Sequence, residues 1–67
     1  MTDHTLDLHG ERHSEVERLV QNFVLMKEGT LKIITGKSPR MQELTVRVLD
    51  KHDITWQYWG EGAILCG

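Results

Sequence analysis

The chain has 67 residues, of which 39% are hydrophobic and 27% charged, a formal net charge of -2 and a single cysteine. That length fits one domain with a small core, because a chain this short buries only ~60% of its unfolded surface. One cysteine excludes an internal disulfide, and the mildly acidic balance argues against a general nucleic-acid coat protein, which needs a basic excess to displace counterions from phosphates. No stretch resembles a signal peptide or approaches the length of a membrane span, so no membrane partner is expected. A lone cysteine without an export signal fits the reducing cytoplasm.

The first element is predicted at Thr5-Leu6-Asp7-Leu8-His9, where polar and apolar residues alternate before Gly10 ends the run. Ser14-Glu15-Val16-Glu17 has the form of a capping box, with the serine at N-cap and a glutamate three residues later. Behind it Val16, Leu19, Val20, Phe23 and Val24 recur at helical spacing, and Gly29 stands where a left-handed C-terminal cap is needed. A second strand is expected at Leu31-Lys32-Ile33-Ile34-Thr35, ended by Gly36. Ser38-Pro39 then opens a second helix, serine at N-cap and proline at N1, with Met41, Leu44, Thr45, Val48 and Leu49 as its apolar stripe. That helix should run out near Lys51-His52, whose side chains suit the negative end of its dipole. His4 and His52 are expected in solvent.

Ile54 to Trp59 is rich in β-branched and aromatic residues and is predicted as a third strand. Gly60-Glu61-Gly62 turns it into a fourth, Ala63-Ile64-Leu65-Cys66, with Cys66 as a small buried hydrophobe. The order β-α-β-α-β-β predicts a two-layer α/β sandwich with a four-stranded mixed sheet, provided both helices cover one face. Period two places Trp56 and Tyr58 on one face of the third strand and Trp59 on the other, so at least one side belongs to the core.

In this arrangement two polar motifs lie at the carboxyl ends of the first two strands, where ligands of open α/β sheets bind. Asp7 and His9, two apart on a strand, are expected on one face. A carboxylate beside an imidazole is a pairing that general acid–base chemistry uses. Gly36 permits close backbone approach, and the N-terminus of the second helix offers free N–H groups to an anion, chiefly the amides of Ser38, Arg40 and Met41 because Pro39 removes one donor. Lys37 and Arg40 flank that terminus, while Arg12, His9 and His13 approach from the first loop. Many acids, Glu43 and Glu61 among them, lie in other elements or turns, so a local cationic pole is expected despite the acidic total. The sequence Gly36-Lys37-Ser38 is not a nucleotide-binding P-loop, since the position five before Gly36 is Leu31 rather than glycine. His9 and His13 do not form a helical zinc pair: they straddle Gly10 ahead of the helix, and no third ligand accompanies them.

At these residues the chain resembles a known family. Leu6-Asp7-Leu8-His9-Gly10 before a helix, and Ile33-Ile34-Thr35-Gly36-Lys37 at the end of a strand, are similar to the two signature motifs of Smr (small MutS-related) domains. The resemblance runs from Leu6 to the last strand. It implies a sandwich like the C-terminal domain of bacterial translation initiation factor three, with sheet order 1-2-4-3. It also implies nucleic-acid binding and, in several members, endonuclease activity on DNA or RNA. The motif positions that carry over are Asp7, His9, Gly10, Thr35, Gly36 and Lys37. The second glycine of the family's second motif is Ser38 here, followed by Pro39. A serine takes a positive φ poorly but caps the helix and can donate its hydroxyl to phosphate.

The expectation is therefore a nucleic-acid-binding domain with an endonuclease activity. A phosphate would lie against Gly10, Arg12, Thr35, Gly36, Lys37, Ser38 and Arg40. His9 would be the general acid or base, and Asp7 would orient it or hold a divalent cation such as magnesium. The alternatives are a binding module without catalysis, which Ser38 favours, and a protein-interaction domain that uses the aromatic face of the sheet. A larger protein partner is compatible with either. The sequence decides neither DNA against RNA nor the oligomeric state.

Overall fold

The computed structural model describes residues 2–67. Its elements follow the order β1 (His4–Asp7), α1 (His13–Met26), β2 (Leu31–Ile34), α2 (Pro39–Lys51), β3 (Trp56–Trp59) and β4 (Ala63–Cys66). The strands form one mixed sheet in the order β1-β2-β4-β3. β1 runs parallel to β2, and β4 pairs antiparallel to both β2 and β3. This is the four-stranded α/β sandwich that the element order predicts.

One face of the sheet is covered and the other open, and the alternation of side chains sets which is which. Leu31 and Ile33 of β2 and Ile64 and Cys66 of β4 pair across the sheet and are buried. They meet Val16 and Val20 of α1 and Met41, Val48 and Leu49 of α2 in a single core. Leu8, just past β1, is fully buried in the same core. Each such fully buried aliphatic side chain contributes about 1.5–3 kcal/mol. Trp56 packs against the edge of this core, its indole N–H donating to Asp50 Oδ1 at 2.9 Å and its ring meeting Tyr58 edge-on at 5.1 Å. Burial also pushes the Cys66 thiol above its ordinary pKa, as expected of a cysteine used for packing.

Helix ends depart from the sequence expectation in two places. α1 begins at His13 with Arg12 as N-cap, so Ser14 lies inside the first turn and the capping box does not form. The cause is the tight turn from Leu8 to Glu11, which delivers the chain into helical geometry two residues early. At the other end, Gly29 does take the expected left-handed conformation, φ +92°, but Lys27 is the C-cap, so the glycine lies beyond it and serves a different need. A Cβ there would collide with the Asp3 carboxylate, which accepts the Thr30 N–H at 2.8 Å. α2 matches the expectation in full: Ser38 is N-cap, its Oγ accepts the Met41 N–H at 3.3 Å, and Pro39 follows at the first helical position. His52 caps the far end, and its Nε2 is buried without a hydrogen-bond partner rather than lying in solvent.

Candidate phosphate-binding site

The loops after β1 and β2 lie side by side, because Asp7 pairs with Ile34 at the carboxyl end of the parallel ladder. The Leu8 N–H extends that ladder by one bond, donating to Ile34 O at 2.9 Å. β1 therefore ends two residues earlier than Thr5–His9 alternation predicts, and His9 belongs to a turn. The Glu11 N–H donates to Leu8 O at 3.0 Å, and Gly10 takes φ +83°, the left-handed value that the third residue of a type II turn requires. Shared strand periodicity thus no longer relates His9 to Asp7. What relates them is a local bond: Asp7 Oδ1 accepts the His9 backbone N–H at 2.8 Å. The carboxylate braces the backbone that carries the imidazole, and does not orient the ring itself. Its second oxygen has no partner among the described residues, and the His9 side chain is exposed.

The second loop is supported from three directions. Thr35 and Gly36 donate their N–H groups to Gly62 O at 2.9 and 3.0 Å. Gln42 Nε2, one turn into α2, donates to Gly36 O at 3.3 Å and to Glu61 O at 2.9 Å. The Ser38 side chain closes the third side as the helix cap. Gly36 adopts φ +69°, and a Cβ on Gly62 would stand 3.4 Å from its Cα, so the β3–β4 turn lies directly against this loop.

These bonds decide which donors remain for an anion. The Gly36 and Met41 amides are already used, and Thr35 is buried with its hydroxyl donating to Gly36 O at 2.9 Å. Thr35 is thus a structural member of the loop rather than a ligand. The amides of Lys37, Ser38 and Arg40 have no hydrogen-bond partner among the described residues, and Pro39 has none to offer. They sit at the positive end of α2, where the dipole is equivalent to about half an elementary charge. The sequence placed Ser38 and Arg40 in this donor set; Lys37 replaces Met41.

The cations of the pole are partly answered by acids that sequence order had assigned to other elements. Lys37 Nζ lies 3.3 Å from Glu61 Oε2, and Arg40 lies 3.2 Å from Glu43 Oε1. Both pairs are solvent-exposed, so water competes for each partner and an incoming phosphate can displace the carboxylate at small cost. Arg12 stands at the N-cap of α1, exposed and without a side-chain cap bond. Gln42, Glu61 and Gly62 were not anticipated as site residues. Nothing local to them marks such a role, since Gln42 reaches Glu61 across 19 residues and Gly62 holds Thr35 from further still along the chain.

A divalent cation fits this geometry poorly as a resident group. Among the described residues no three His, Cys, Asp or Glu side chains converge on one point, and Asp7 offers one free oxygen. Magnesium normally keeps several waters and uses one or two carboxylates together with substrate phosphates, so any such ion would have to arrive with the polymer. Among the described residues no helix is long and apolar enough to cross a membrane. No family model, curated protein or solved structure matches the chain.

Proposed function

We propose that this chain is a nucleic-acid-binding domain of the Smr type, which grips a backbone phosphate at the amino end of α2. The observation that carries the reading is the set of three unpaired amides, Lys37, Ser38 and Arg40, held in place by Gly62, Gln42 and the Ser38 cap. Unsatisfied N–H groups at a helix start favour an anion, and two flexible cations flank them. His9 and Arg12 approach from the neighbouring loop, which gives the polymer backbone a second point of contact.

Binding is tested by fluorescence anisotropy of labelled DNA and RNA across a salt series. Affinity should fall linearly on logarithmic axes as salt rises. Lys37→Ala should weaken binding for all sequences alike and reduce the salt slope by about 1. Glu61→Gln, which frees Lys37, should strengthen it. Absence of affinity for either polymer at low salt would leave a protein-interaction domain as the better description.

A second reading, phosphodiester cleavage, is favoured by the exposed His9, whose loop lies beside the loop that carries the three free amides. In that reaction His9 would take the proton of the attacking oxygen or protonate the leaving one, and Asp7 would hold the loop. Supercoiled plasmid and structured RNA, with magnesium or EDTA, should be cut by the native chain and spared by His9→Ala. Cutting that survives both His9→Ala and Asp7→Ala would belong to a contaminant.

A further inference from the structure

The open face of the sheet carries an aromatic platform at the same edge as the phosphate site. Asp7, Ile34, Ala63 and Trp59 form one row across the four strands, at the carboxyl ends of β1, β2 and β3. Trp59 is therefore on the uncovered side, and its side chain is 54% exposed although the sheet supplies neighbours on one side. The Lys32 ammonium lies 5.9 Å from the centre of its ring. Lys32 and Trp59 are separated by two strand spacings and two residues, about 12 Å at the backbone. Both side chains must lean across β4 to meet, passing over Leu65 and the small Ala63. The Lys32 ammonium thus lies over the indole ring, and more than half of Trp59 remains exposed to a partner.

Two further observations select the partner. Across β2, β4 and β3 the open face bears Lys32, Ile34, Leu65, Gln57 and Trp59, and the strand carboxylate on this face is Asp7 at the far edge on β1, so an anionic polymer meets a cation and neutral side chains around the indole. The turn that ends β3 at Trp59 is also the one that braces the phosphate loop: Gly62 O accepts from Thr35 and Gly36, and Glu61 reaches Lys37. Platform and phosphate site are held in fixed relation by one three-residue turn.

We infer that the ligand is an unpaired nucleic-acid strand, whose base stacks on Trp59 while its backbone is held by Lys32 and the amino end of α2. This rests on the nucleic-acid reading above and sharpens it to a single-stranded substrate. A duplex keeps its bases stacked on one another and leaves none for the indole, whereas unpaired bases stack on aromatic side chains irrespective of sequence.

The test compares single-stranded DNA, single-stranded RNA, the matching duplexes and an abasic strand of equal phosphate count, all by anisotropy. The single strands should bind more tightly than duplex or abasic strand. Trp59→Ala should lower single-strand affinity roughly 5- to 150-fold, the factor that corresponds to about 1–3 kcal/mol of stacking per base, and leave abasic binding unchanged. Trp59→Phe, which keeps a ring face, should retain most of the affinity. Equal binding of normal and abasic strands by the native chain would overturn the stacking inference without any variant having to fold. If Lys37→Ala abolishes binding while Trp59→Ala does nothing, the phosphate site stands and the platform falls. If no nucleic acid binds, both fall together.

Discussion

The loops after β1 and β2 are neighbours at one end of the sheet and differ in how they are held. The first, from Leu8 to Arg12, is fixed by its own residues: Asp7 accepts from His9, Gly10 turns the chain, and Leu8 is sunk in the core. Its helix starts at Arg12 without a side-chain cap bond. The second, from Thr35 to Ser38, is tied to the β3–β4 turn, to Gln42 and to its own helix cap. A self-contained turn can be written in consecutive residues, as Leu6-Asp7-Leu8-His9-Gly10 writes this one. A loop held from outside takes its shape from partners elsewhere in the sequence, here Gly62 and Gln42.

The largest expected effect is at the anchor of the first loop. Leu8→Ala should cost about 2–5 kcal/mol, read from urea midpoints, a large share of what a domain this small possesses. A loss near that of an exposed leucine would mean that the first loop does not depend on the core.

The two turn glycines come next, and they sharpen the contrast in a different way. Neither Gly10 nor Gly36 has any atom within 4 Å of where a Cβ would stand, so alanine meets only the left-handed backbone. Both substitutions should destabilise by about 1–2 kcal/mol. Gly36→Ala should reduce phosphate affinity more than Gly10→Ala, if the Lys37, Ser38 and Arg40 amides form the main receptor and the first loop only a second contact. Equal binding losses for both would place the receptor across the two loops instead.

A smaller pair of substitutions separates the helix starts. Ser38→Ala should lose about 1 kcal/mol of stability, whereas Ser14→Ala, inside the first turn of α1, should change it by less than about 0.5 kcal/mol. Comparable losses would restore Ser14 as a cap. The least effect is expected for Glu61→Gln, whose exposed pair with Lys37 should alter stability by no more than about 0.5 kcal/mol while its effect on binding is plain.

What the sequence reveals follows the same division. The elements, the strand order that the family resemblance implies, the Ser38-Pro39 start of α2 and the opposed faces of Trp56 and Trp59 are all present in the structure. They depend on periodicity and capping, which are local. The end of β1, the start of α1 and the purpose of Gly29 were misread, because a tight turn and a long-range carboxylate overrode local preference. The donor set shifted by one amide for a related reason. Whether an N–H is free depends on Gly62 and on the Ser38 hydroxyl, and no periodicity reports such partners.

The contact between Asp3 and Thr30 sits at the opposite end of β1 from the site, yet it determines where the site lies. Asp3 gives its backbone N–H to Thr30 O at 2.8 Å and takes the Thr30 N–H on its carboxylate, in space that Gly29 leaves clear. At the far end, Leu8 is bonded to Ile34. The chain between these two clasps is a ruler of five residue steps, about 17 Å long. A slip of one residue along β2 would drive Asp7 into the core and Leu8 into water. The two clasps thus act as end stops, and the position of the first loop beside the second is measured out from a point on the other side of the molecule.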